Sequence, residues 1–145
     1  MKNKFPHVVP TMLFLAAIAS QGASAQSLSP AQIKQVEEIA QNIARQHNGN
    51  AAAMLDDITV SSRAVAVARN VRFEYVLKVK NGLSPTKLKE FSDDIRRDIV
   101  PKSCAVNAKN PGFDRGLTYT FSYTNTYGEK LAEFTIDKAV CSNYK

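Results

Sequence analysis

The sequence predicts an α+β fold in the order α-β-β-α-β-β: a four-stranded antiparallel sheet with two helices packed on one face, closed by one disulfide. Three observations carry this reading. Two segments open on a Ser-Pro pair and continue with apolar residues at helical spacing; four segments alternate apolar and polar positions; and the two cysteines, Cys104 and Cys141, stand on either side of the last two alternating segments.

The first helix begins at Ser29-Pro30-Ala31-Gln32. Ser29 suits the N-cap, Pro30 the first helical position and Gln32 the reciprocal position of a capping box, with Leu28 and Ile33 placed to form a hydrophobic staple. Ile33, Val36, Ala40, Ile43 and Ala44 form its apolar stripe, and His47-Asn48-Gly49 marks its expected end. From Met54 the period falls to two. Ile58 and Val60 begin a strand that Val65 and Val67 continue with opposite parity, which predicts a bulge near Ser61-Ser62. Arg69-Asn70 is the expected turn, and Val71, Phe73, Tyr75, Leu77 and Val79 line the buried face of a second strand.

Ser84-Pro85 starts the second helix, with Leu88, Phe91, Ile95 and Ile99 as its stripe and Asp93, Asp94, Arg96, Arg97 and Asp98 on its outer face. Asp93 and Arg97 have i,i+4 spacing for an ion pair. Pro101 is expected to stop or kink this helix, leaving Cys104 just beyond it. Asn110-Pro111-Gly112 reads as loop. Leu117, Tyr119, Phe121 and Tyr123, then Ala132, Phe134 and Ile136, form the inner faces of a final hairpin turning at Asn125-Thr126-Tyr127-Gly128.

Residues 1–25 have the pattern of a secretory signal peptide: Lys2 and Lys4, an apolar stretch from Met12 to Ala19, and small residues closing on Ala23-Ser24-Ala25. Cleavage is expected between Ala25 and Gln26, leaving residues 26–145 as a single domain of ordinary size. The apolar stretch is too short to span a bilayer core of about 30 Å. No cysteine follows the cleavage site for lipid attachment, so no stable membrane anchor is expected after cleavage. Without Lys2 and Lys4 the chain carries 17 basic and 13 acidic residues, scattered and interleaved. Nucleic-acid binding wants a concentrated basic footprint, and this distribution reads instead as a solvated surface.

In an exported chain two cysteines are most simply one disulfide. Closing the 37-residue separation contributes about 4 kcal/mol by the chain-entropy estimate. The rival reading, a reactive thiol, would want an adjacent base, and neither cysteine has a C-x-x-C neighbour. His47 is the one histidine after residue 25, and its place at a helix end favours a capping cation over a catalytic base. One histidine and two paired cysteines cannot complete a zinc shell, and no glycine-rich phosphate loop is present. Asp56-Asp57 and Asp93-Asp94 are neighbours that point apart in regular structure. The tyrosines Tyr119, Tyr123 and Tyr127 suit a binding face or simply a strand. No catalytic residue, metal or cofactor is expected.

Residues 54–141 combine a strand pair, a helix with Leu88, Phe91 and Ile95, a cysteine after it, Gly116-Leu117-Thr118-Tyr119, a turn closing on Gly128, a last strand and Cys141. This pattern resembles the beta-type pilotins of the bacterial type II secretion system, which are similar in their helix, cysteine, G-L-x-Y strand, glycine turn and final cysteine. The resemblance implies a Cys104–Cys141 disulfide, a sheet backed by helices, and binding of the C-terminal tail of an outer-membrane secretin. Those pilotins are typically lipoproteins, and the lipidated cysteine has no counterpart here.

The expectation is therefore an exported, non-enzymatic binding protein, periplasmic or secreted, whose partner is a peptide or tail of a secretin or another envelope component. It would be held by strand addition to an exposed edge or as a helix laid between sheet and helices. A periplasmic inhibitor or immunity protein that blocks a hydrolase or toxin is the alternative.

Overall fold

The computed structural model describes residues 27–144, so Ala25 and Gln26 lie outside the described residues. Helix α1 spans Pro30–Gly49 and starts on the anticipated box: the Ser29 hydroxyl accepts from the Gln32 N–H, and the Gln32 side chain accepts from the Ser29 N–H. A 3-10 turn at Ala51–Met54 leads into β1, Thr59–Val67, and β2, Asn70–Leu77, which pair antiparallel. The change of parity is real, with a register shift between Thr59 and Ser61, one residue ahead of the expected bulge. The turn itself is Ala68-Arg69, also one residue early.

Helix α2 runs from Pro85 to Asn107, straight through Pro101. The expected stop fails for a packing reason. Pro101 lies on the exposed side, where the Arg97 carbonyl it leaves unbonded can face solvent, while Val100 and Cys104 are buried beside it and hold the helix on the core. Cys104 is thus inside the helix. Pro111–Asp114 forms a short helix α3 in place of the expected loop, β3 is Thr118–Asn125, β4 is Lys130–Ile136, and a helical turn α4, Lys138–Cys141, ends the described chain. The element order is therefore longer than α-β-β-α-β-β.

The strands lie in the order β1-β2-β3-β4. β3 and β4 pair antiparallel, but β2 and β3 pair parallel, Val71 opposite Tyr119 and Phe73 opposite Phe121. The sheet is mixed, not antiparallel. The cause is the connection: α2 lies between β2 and β3 and carries the chain back along the sheet, so β3 starts from the end where β2 started.

Rings from β2, β3 and β4 form a layer on one face, with Tyr75 stacked on Tyr123 at 5.0 Å and Phe121 on Phe134 at 5.5 Å. α1 covers this layer over β1 and β2, and α2 covers it over β4. The expected pair of helices is only part of the covering, because α3 also inserts the buried Phe113 against Tyr119. The opposite face carries a ladder of exposed ion pairs, Arg63 to Glu74, Glu74 to Arg72, Arg72 to Glu133 and Glu133 to Lys130.

Candidate functional site

A cleft of about 480 Å³ opens between α1 and α2 over the middle of the sheet. Its floor is Phe73 of β2 with Tyr119 and Phe121 of β3. Parallel pairing brings these rings together, Phe73 stacking on Phe121 at 5.0 Å and meeting Tyr119 edge-on at 5.7 Å. Ile43 of α1 forms one wall; Lys102, Ser103, Val106 and Asn107 of α2 form the other. Val106 on the lip is 82% exposed, the highest among the large apolar side chains left at the surface of the described residues. Size and apolar floor match a site for a small ligand or an apolar peptide side-chain row.

The polar groups at one end of the cleft are already engaged with each other. Asn107 Oδ1 accepts from the Tyr119 hydroxyl at 2.8 Å and from Asn110 Nδ2 at 3.1 Å, while Asn107 Nδ2 donates to the Ser103 carbonyl at 2.8 Å. Burial pushes the Tyr119 hydroxyl above its usual pKa, so it stays a neutral donor. Lys102, in the α2 wall, pairs with Asp98. Among the described residues no carboxylate and no imidazole line this space. Its chemistry is therefore that of apolar contact with a fixed, internally satisfied polar end.

The disulfide holds the α2 wall. Cys104 follows Ser103 in that wall, and it is bonded to Cys141 in α4 with Cα atoms 5.2 Å apart. α4 is in turn capped by Asp137, which accepts from the Val140 N–H at 2.8 Å.

His47 does not act as a capping cation. It lies on the buried stripe of α1, 8% exposed, its ring 4.9 Å from Phe73 and 6.0 Å from Tyr75, with Nε2 2.8 Å from the Ser62 hydroxyl. Desolvation lowers its pKa, which favours the neutral ring that a helix C-terminus alone would not select. Asp56 accepts from the backbone N–H groups of Ile58 and Thr59 in a tight turn. Asp93 pairs with Lys89 and Asp94 with Arg97, so the anticipated Asp93–Arg97 pair gives way to two others. Tyr119 and Tyr123 face the core, and only Tyr127 of the three tyrosines is exposed. Sequence reasoning assigned Phe73, Tyr119 and Phe121 to the core, and Tyr119 and Phe121 are buried there with Phe73 half-buried; the cleft that opens above them was not foreseen, and Val106 on an otherwise amphipathic helix was the one available signal.

No family model and no curated protein matches the chain. Solved structures do. The type II secretion system pilotin AspS of Vibrio cholerae superposes with a TM-score of 0.56 at 21% identity, over 77% of this chain and 96% of AspS. The type 2 secretion pilotin EpsS of Vibrio vulnificus gives 0.56 at 17% identity, over 78% and 97%. The fold is that of the type II secretion pilotins. A Pseudomonas aeruginosa protein described as secreted is similar to this chain in fold as well, with a TM-score of 0.61 at 10% identity over 79% of this chain and 99% of its own.

Proposed function

We propose that this chain is an exported, non-enzymatic binding protein of pilotin type that engages a peptide or tail of an envelope secretion component, a secretin in the first instance. The observation that carries this reading is the cleft: an aromatic floor and an exposed apolar lip on a chain with the pilotin fold. The walls favour a helix over a strand as occupant. Apart from the Arg97 carbonyl on the exposed side, the interior backbone groups of α1 and α2 are bonded within each helix, so a segment buried between them has no edge to pair with and must satisfy its own backbone. A helix does this, laying apolar side chains at i, i+3 or i+4 and i+7 on Phe73, Tyr119 and Phe121.

The place of action is the periplasm, after removal of residues 1–25 between Ala25 and Gln26. Mass spectrometry of the protein recovered from a periplasmic extract should give a chain starting at Gln26, and a chain retaining Met1 would contradict export by cleavage. For the partner, a fluorescently labelled peptide of the C-terminal tail of the secretin encoded in the same genome should bind the purified chain. Val106→Glu should weaken that binding at least tenfold, about 1.4 kcal/mol, by placing a charge on the apolar lip. Failure of the wild-type chain to bind would remove the secretin as partner. Equal binding by Val106→Glu would move the site away from the cleft.

A further inference from the structure

Among the described residues β1 is an edge strand, paired within the sheet with β2 alone. Its exposed residues include three valines, Val60, Val65 and Val67, the last at 65%, beside Ser61 and Arg63, and Ile58 stands exposed just ahead of them. An exposed edge rich in β-branched residues is a template on which another strand can add. Along an antiparallel pair the backbone groups alternate, one residue bonding to the partner strand and the next presenting its N–H and C=O to the free side. Ala64 is a residue of the second kind, as are Ser62 and Ala66 by alternation, and it lies midway along the strand.

Both free-side groups of Ala64 are taken. Its N–H donates to Asn48 Oδ1 at 2.7 Å and its carbonyl accepts from Asn48 Nδ2 at 2.9 Å. A carboxamide presents the same donor and acceptor as a peptide group. Asn48 therefore makes with Ala64 the two bonds that a residue of an added strand would make. Its position is fixed by its neighbour: His47 bonds Ser62 on the same strand, two residues from Ala64, so the last turn of α1 is fastened to β1 at two adjacent points.

We propose that Asn48 is an edge plug, which fills the central strand-addition slot of β1 and keeps this valine-bearing edge from pairing with β1 of a second copy. An incoming strand must displace both Asn48 bonds at the middle of its footprint, where a continuous ladder is needed. The proposal does not depend on what the cleft binds.

The test uses the full chain and two readouts, amide hydrogen exchange and molar mass by light scattering over a range of concentration. In the wild type the Ala64 N–H should exchange about tenfold more slowly than that of Ala66, the effect of one hydrogen bond. Asn48→Ala should lose this protection, keep its circular dichroism spectrum and form dimers or larger species as concentration rises. Adding Val67→Lys should restore the wild-type mass, because a lysine on the edge opposes pairing. Should Asn48→Ala fail to fold, Asn48→Asp retains the acceptor for the Ala64 N–H and loses the donor, and should associate more than the wild type. The proposal is overturned by a folded Asn48→Ala that keeps the wild-type mass at every concentration, by equal exchange of Ala64 and Ala66 in the wild type, or by association that Val67→Lys leaves unchanged.

Discussion

His47 Nε2 and Ser62 Oγ lie 2.8 Å apart, a buried bond that joins the last turn of α1 to the first edge of the sheet. Because burial lowers the His47 pKa below the usual 6.5 or so, the unfolded chain takes up its proton first as pH falls. Stability from this group is full above about pH 6.5 and is lost as pH drops from there toward the folded-state value. Urea denaturation of the wild type at pH 7.5 and pH 5 should show the loss, and His47→Gln, which hydrogen-bonds without titrating, should show less of it. Identical losses in the two proteins would place the pH dependence elsewhere.

Gly116 has φ of +82°, and a Cβ built on it would lie 2.7 Å from Arg69 Nη1, which donates to the Arg115 carbonyl. Gly116→Ala should destabilise the protein by about 1–2 kcal/mol through the left-handed backbone. The guanidinium is a flexible end that can move aside, so Arg69→Ala should not recover the loss. Recovery in the double variant, read by denaturant midpoint, would mean that the clash and not the backbone was the cost.

Asn125, 1% exposed, organises the β3-β4 turn. Its Oδ1 accepts from the N–H groups of Tyr127 and Glu129, its Nδ2 donates to Glu129, and Glu129 also accepts from the Gly82 N–H. Asn125→Ala should cost about 1–3 kcal/mol, since it leaves buried groups without partners. Arg72→Gln on the exposed ladder should cost under about 1 kcal/mol. Equal melting-temperature shifts for the two would contradict this ranking.

Cys104→Ser with Cys141→Ser should lower stability by about 4 kcal/mol if the chain-entropy argument holds for the 37-residue separation. The same variant should bind a cleft ligand more weakly even where it is folded, because Cys104 fixes the helix that forms one wall. Unchanged thermal stability would remove the disulfide from the list of stabilising features.

Local signals in the sequence determined the helix starts at Ser29 and Ser84, the four strands, the bulge in β1 and the presence of a disulfide. Each rests on contacts within a few residues or, for the disulfide, on the chemistry expected of an exported chain. His47 was within reach too, since positions 36, 40, 44 and 47 share one helical face. Strand direction was not, because alternation is the same in parallel and antiparallel pairs; α2 between β2 and β3 decided it. Nor does local propensity say that α2 survives Pro101, which depends on Val100 and Cys104 being buried on either side of it. The cleft and the Asn48 plug belong wholly to the tertiary structure. A ring at the floor of a cleft differs from one packed under a helix, and a capped edge from a free one, only by where another element comes to rest, and that placement is set by packing across the whole sheet.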